Sequence, residues 1–180
     1  MNDAFIFIGS NIDRERNYIK ALKQLARLGR IKRASTVYVT APVGGEGDDF
    51  LNGAVLLKTP LRPHPLKREL RAIEQRLGRT RTGDPNAPRT IDLDLVLYNA
   101  EQIDDGEVRV PDPLIFKRPF LVQALAELSP DYRHPSWKET IEQIAGRHRP
   151  ADDEMRPDAT MTTRANEIIE AIQTGETTHA

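Results

Sequence analysis

Hydrophobic positions along this chain change period several times, and each change marks an element. Ala4-Phe5-Ile6-Phe7-Ile8 is a short apolar run broken by Gly9-Ser10-Asn11, which predicts a strand entering a turn. Ile12, Ile19, Leu22, Leu25 and Leu28 then recur at helical spacing up to Gly29, predicting a helix with Asp13 as N-cap and Gly29 as C-terminal cap. Ile31 to Thr40 is rich in β-branched residues, and Phe50 to Thr59 reads as another strand. The stretch between them, Ala41-Pro42-Val43-Gly44-Gly45-Glu46-Gly47-Asp48-Asp49, is long for a hairpin and is expected to be a binding loop. Pro65 opens a helix through Leu66, Leu70, Ile73 and Leu77, closed by Gly78.

The next run, Ile91-Asp92-Leu93-Asp94-Leu95-Val96-Leu97, alternates with period two. Ile91, Leu93, Leu95 and Leu97 are expected on one face of a strand, and Asp92, Asp94 and Val96 on the other. Beyond it, Glu107 to Val110 reads as a short strand, Pro119 to Leu128 and Glu139 to Ala145 as helices, residues 150–161 as a polar linker, and Thr163 to Ile172 as a short amphipathic helix. The order strand, helix, strand, strand, helix, strand matches a split βαβ, ferredoxin-like α+β arrangement. Its helices cover one face of an antiparallel sheet, leaving the aspartate face open.

The paired aspartates carry the first chemical signal. Carboxylates at i and i+2 of a strand lie about 6.5 to 7 Å apart, so they can converge on metal ions roughly 3.5 to 4 Å from one another. Two such charges repel unless a cation sits between them. Oxygen ligands without nearby His or Cys favour a hard ion, magnesium first. An exposed strand whose aspartates pair with arginines is the plainer alternative. The preceding stretch tips the balance, because Arg76, Arg79, Arg81 and Arg89 flank a loop punctuated by Gly83, Pro85 and Pro88. Guanidinium groups beside a dicarboxylate metal site are what phosphoryl transfer requires, the metal bridging phosphates and the arginines spreading developing charge.

Composition narrows the classes further. The chain has 180 residues, 38% hydrophobic and 29% charged, with a net charge of -1, which fits one soluble domain. Residues 151–180 hold seven acidic and two basic side chains, leaving residues 1–150 mildly basic. The expected division is therefore a catalytic domain over 1–150 and an acidic extension over 151–180. So small a basic excess suits a small anionic ligand better than nucleic acid. There is no cysteine, which removes disulfides and thiolate chemistry. No apolar run approaches a membrane span, and a cytoplasmic protein, monomeric or homodimeric, is the expectation.

Several ordered motifs resemble those of the 6-hydroxymethyl-7,8-dihydropterin pyrophosphokinase family of folate biosynthesis. They are Pro88-Arg89-Thr90-Ile91-Asp92-Leu93-Asp94-Leu95-Val96-Leu97, Ile8-Gly9-Ser10-Asn11, Tyr38-Val39-Thr40-Ala41-Pro42-Val43-Gly44, Phe50-Leu51-Asn52-Gly53-Ala54-Val55 and Val110-Pro111. The resemblance implies transfer of pyrophosphate from ATP to the pterin hydroxymethyl, releasing AMP, with two magnesium ions held by Asp92 and Asp94. It places Arg79, Arg81 and Arg89 at the triphosphate, together with Asp92 and Asp94 as the catalytic set. It places Glu74, Leu95 and Arg118 at the nucleotide as well. It puts the pterin between Phe50 and Phe120, read by Asn52, with Thr40, Pro42 and Val43 lining the pocket. Stacking and a buried amide are what a flat heteroaromatic ring calls for.

The chain departs from the family pattern at Asn86 and Ala87, where tryptophan and glycine are common, at Asp112 for histidine, and at Arg71 for glutamine. Three rivals stand beside the kinase. A ferredoxin-like RNA-binding module would stack bases on Phe5 and Phe7, but it leaves the aspartates without a role. A metal-dependent glycosyltransferase would need a longer chain. A weakened family member kept for protein contacts is the third.

Overall fold

In the computed structural model, which describes residues 1–42, 47–80, 87–150 and 155–175, strand β1 (Asn2–Ser10) forms the axis of a six-stranded sheet. Antiparallel neighbours flank it on both sides, β4 (Phe50–Thr59) and β5 (Asp92–Tyr98). Being covered on both faces, β1 is buried from Ala4 to Ser10, which is why it reads as a continuous apolar run rather than an alternation. The sheet order is β5-β1-β4-β3-β8, with β2 also paired to β4.

The predicted strand from Ile31 to Thr40 is two strands, β2 (Arg30–Ala34) and β3 (Tyr38–Thr40). Ser35 makes the break, since its hydroxyl accepts from the Ala54 amide at 2.9 Å and donates to the Thr36 carbonyl at 2.8 Å. A side chain stands in for a ladder group there, as serine can.

Helix α1 (Arg14–Leu25) and helix α2 (Pro63–Arg76) cover one sheet face. Tyr18, Leu22 and Leu25 from α1 and Leu66, Leu70 and Ile73 from α2 share a core with Ile6, Ile8, Val55 and Leu93. The start of α2 differs from the prediction, and that of α1 matches it in position but not in cap chemistry. α2 begins at Pro63, two residues before Pro65, and Asp13 precedes α1 in the left-handed region (φ 43°) without a capping bond from its side chain. Gly78 (φ 81°) does close α2, as glycine can. Gly29 is not a cap, since α1 ends at Leu25, and a Cβ on Gly29 would lie 2.2 Å from the Lys58 carbonyl oxygen. Close backbone approach fixes that glycine.

The opposite face is not open along its whole length. Helix α3 (Pro119–Leu128) matches its predicted bounds, and α4 (Ile141–Arg147) starts behind a Thr140–Gln143 capping box. Together they bury Phe5, Phe7, Ala54, Val96 and Leu97 in a second core. Leu97 therefore faces away from Ile91, Leu93 and Leu95, contrary to strict alternation. The register explains it: Phe5 pairs with Leu97 and Ile6 with Leu95, so Val96 is the extra residue of a bulge. The aspartates precede the bulge and keep their alternation.

Short strands β6 (Ile103–Asp104) and β7 (Arg109–Val110) pair with each other, and a 3-10 turn follows over Pro113–Phe116. The last elements are strand β8 (Arg156–Pro157), which pairs with β3, and helix α5 (Ala159–Thr174), longer at both ends than predicted. Met161, Ala165, Ile168 and Ile169 of α5 enter the first core. Among the described residues no helix is long and apolar enough to cross a membrane.

Candidate active site

Register alone sets the layout of the site. Gly9 of β1 lies opposite Asn52 of β4 on one side and Asp92 of β5 on the other. Two residues along, Phe7 lies between Ala54 and Asp94. Asn52, Gly9 and Asp92 thus form one row across three strands on the same face, with a hollow where Gly9 lacks a side chain. A Cβ on Gly9 would stand 2.8 Å from Asn52 Oδ1. The cleft over this hollow is lined by Thr40, Phe50, Asn52, Arg89, Asp92, Arg118 and Phe120, with Phe7, Gly9 and Ala41.

Seven residues expected to form the site therefore meet in one cleft. Asn52 is buried and donates from its amide nitrogen to Thr40 Oγ1 at 2.7 Å, which orients its carboxamide. Arg89 lies 5.8 Å from the Phe50 ring centroid and Arg118 5.9 Å from that of Phe120, each cation close to an aromatic face. Phe120 also packs against Phe7 at 5.6 Å between centroids.

At the other end of the row, Asp92 accepts from both Arg79 and Arg89, the latter at 2.7 Å. Burial alone would push its carboxyl up, but the two guanidiniums outweigh it and hold Asp92 below the usual carboxylate range. Glu74 sits beneath them at 2% exposure. Its Oε1 accepts from Arg79 Nη1 at 2.5 Å and from the Leu93 amide at 2.9 Å. Glu74 thus ties α2 to β5 and anchors Arg79. Burial works against the charge on Arg79, yet Asp92 and Glu74 together raise its pKa.

Asp94 has a different environment. Burial first, and then the charge of Asp92, push its carboxyl up to about 6, opposed by Lys67, whose Nζ lies 3.5 Å away. Asp112 and Glu74 add to the upward push. Asp94 thus faces the acids Asp92, Asp112 and Glu74, with Lys67 opposing them. Asp92 and Asp94 place two carboxylates on one face. That fits magnesium, which takes one or two carboxylates and fills its shell with phosphates and water.

Arg89 is held by its backbone. Its amide donates to Asn11 Oδ1 at 2.7 Å, and its carbonyl accepts from the Asn11 and Ile12 amides at 3.2 and 3.3 Å. Ser10 Oγ donates to the Thr90 carbonyl at 2.6 Å. The Ser10-Asn11-Ile12 stretch at the end of β1 is therefore the clamp that presents Arg89.

Other expected residues fall elsewhere. The Leu95 side chain is in the core under the helices, on the face away from the aspartates, and Pro42 is buried. Arg81, Val43 and Asn86 lie outside the described residues. Phe5 and Phe7, the stacking pair of the RNA-binding alternative, are 2% and 6% exposed beneath α3, so neither offers a ring to a base. Sequence reasoning missed Lys67 and the clamp. Lys67 is seven residues before Glu74, two helical turns along one face of α2, and that spacing is the signal that could have found it. Asp112 accepts from the Leu114 amide at 2.8 Å and caps the 3-10 turn, a local reason for a carboxylate there.

The sequence profile of the 7,8-dihydro-6-hydroxymethylpterin-pyrophosphokinase family (HPPK) matches residues 5–130. The chain belongs to this family. A 2-amino-4-hydroxy-6-hydroxymethyldihydropteridine pyrophosphokinase of Bacillus subtilis is 42% identical over 132 residues, covering 71% of this chain and 78% of that one. The enzyme of that name from Aquifex aeolicus is 33% identical over 146 residues, covering 80% and 91%. A folic acid synthesis protein of Dictyostelium discoideum is 31% identical over 95% of this chain, which spans only 26% of that protein's length. Among solved structures, an HPPK-DHPS chain of Plasmodium falciparum superposes with a TM-score of 0.65 at 15% identity. It covers 82% of this chain and 44% of its own length, a likeness of fold. Both described residues at the ends of the 79–89 arginine stretch, and both aspartates, lie within the HPPK match.

Proposed function

We propose that this chain transfers the β,γ-pyrophosphoryl group of ATP to the hydroxymethyl oxygen of 6-hydroxymethyl-7,8-dihydropterin, releasing AMP. The observation that carries the reading is the row Asn52-Gly9-Asp92, which joins an aromatic, amide-lined slot to an acid and arginine cluster in one cleft. Family membership supports the class of the reaction, and the row supports assigning one substrate to each end.

Phe50 and Phe120 sandwich the pterin, and Asn52, oriented by Thr40, supplies donor and acceptor to its amide-like edge. Asp92 and Asp94 would hold two magnesium ions, which would supply positive charge against the triphosphate. Arg89, presented by the Asn11 clamp, and Arg79, anchored on Glu74, spread the charge of the transferred group, assisted by Arg81 and Arg118. Catalysis is chiefly positioning for in-line attack on the β-phosphorus. Arg79 and Arg89 are already bonded to the acid that holds metal, so the cluster is organised before substrate arrives. We read the β1-α1-β2/β3-β4-α2-β5 core as a split βαβ, ferredoxin-like fold, working in the cytoplasm as monomer or homodimer.

The test is to incubate the chain with magnesium, ATP and the reduced pterin and to separate the nucleotides. AMP formed in step with pterin diphosphate is the expected result. ADP, or no pterin-dependent turnover, refutes the reading. Arg89→Ala should lower kcat far more than it raises the KM for ATP; a change in ATP affinity alone would contradict its part in the transition state.

A further inference from the structure

The C-terminal segment lies beyond the family match, which ends at residue 130, yet it reaches the strand that carries Thr40. β8 adds to the side of β3 away from β4, with Pro157 opposite Tyr38 and Arg156 opposite Val39. At Val37, fully buried, the tail takes both backbone groups. The Val37 amide donates to Thr162 Oγ1 at 2.9 Å, and its carbonyl accepts from the Asp158 amide at 2.8 Å. The Thr162 hydroxyl in turn donates to the Asp158 carbonyl at 2.7 Å, so one closed set of bonds joins β3's entry to the first turn of α5. Asp158 also caps α5 by accepting from the Met161 amide at 2.9 Å.

This junction has a fixed position, because Met161, Ala165, Ile168 and Ile169 are sunk in the main core. β3 gains a second support from it, beside Glu127 of α3, which accepts from the Thr36 amide at 2.8 Å and from the Tyr38 hydroxyl. It has only three residues, too few to set its own place in a sheet. Its last residue, Thr40, pairs with Phe50 and receives the hydrogen bond that aims Asn52. Arg156 lies 3.5 Å from Asp49, just ahead of Phe50, but so exposed a pair contributes little by itself.

We infer that the C-terminal segment is a brace for the pterin end of the cleft, with Thr162 a positioning residue that holds Val37 and hence keeps Thr40 against Asn52. The inference rests on the pterin reading proposed above. The nucleotide end is built from β5 and α2, on the far side of β1 from β3, and is held by Glu74 and Asn11 instead. Among the described residues the tail bonds to β3 and its entry and not to β5 or α2, so the brace acts on the pterin end.

Steady-state kinetics on the full chain separate them, varying pterin and ATP independently for wild type, Thr162→Val and Thr162→Ser, alongside hydrogen exchange at the amides of residues 37–40. Valine keeps the volume and deletes the acceptor. The expected result for Thr162→Val is a pterin KM raised about threefold or more, the scale of one lost buried hydrogen bond. The KM for ATP and kcat stay at wild-type values, and exchange at 37–40 quickens. Serine, which keeps the hydroxyl, restores both. An unchanged pterin KM overturns the brace while leaving the activity standing. So does a KM for ATP that moves with it, or a loss of kcat alone, as a smaller folded fraction produces. A wild type that makes no AMP from magnesium, ATP and the reduced pterin overturns the underlying reading, and the brace with it.

Discussion

Gly9 is the residue on which the cleft turns. It lies between the Asn52 amide and the Asp92 acid, and the hollow between them exists because it has no side chain. Gly9→Ala would set a methyl 2.8 Å from Asn52 Oδ1, and Asn52 is buried and hydrogen-bonded, with little room to yield. Activity should fall through a raised pterin KM, with ATP binding near wild type, as measured by varying each substrate in turn. Asp94 makes a second prediction, of pH dependence. A carboxyl whose folded pKa is raised favours the fold while protonated. Its contribution is complete below the ordinary value of 3.8 and is lost as pH rises through about 6. Metal-free protein should therefore lose stability over that window, and Asp94→Asn should flatten the slope in chelator-containing thermal melts while cutting turnover severely. A mutant with the wild-type slope would refute the assignment of that strain to Asp94.

Helix α2 and strand β5 are joined at the site by one buried carboxylate. Glu74 answers the buried Leu93 amide on the outer side of β5, and in the same stroke positions Arg79. Glu74→Gln keeps the shape and removes the charge. Breaking a buried ion pair costs about 3 kcal/mol or more, and Arg79 retains Asp92, so a loss near the low end is expected in urea melts. kcat should fall with it, since Arg79 loses one of its two anchors. Element boundaries with a local cause were legible in the sequence. β4 and α3 match their expected bounds, and Gly78 closes α2, because periodicity and chain stops reside in neighbouring residues. Features set by distant partners were not. Gly29 is small because Lys58 passes it, and Leu97 changes face because β1 and β5 slip by one residue at Val96.

The whole molecule divides into two supports around β1, one for each end of the cleft. In the proposed reading Asp92 and Asp94 hold magnesium together with the phosphates of the nucleotide. Magnesium alone should shift the melting temperature little. Magnesium with a non-hydrolysable ATP analogue at a hundred times its Kd should stabilise by about 2.7 kcal/mol, by mass action. Equal stabilisation by magnesium alone would mean the protein completes the site itself.

From the chain alone one could read the strand bearing two acids, the arginines before it, the aromatic and amide residues, and the family these motifs resemble. All are local patterns, or ordered sets of them. Which residues face one another required the folded sheet. Asn52 and Asp92 are far apart in sequence and become neighbours only through Gly9. Glu74 is an anchor only because β5 runs past α2, and the aspartate face is roofed at one end because α3 and α4 dock there. Periodicity is a property of adjacent residues, whereas register and docking are settled by the burial of distant surfaces against each other, and the site lies where those surfaces meet.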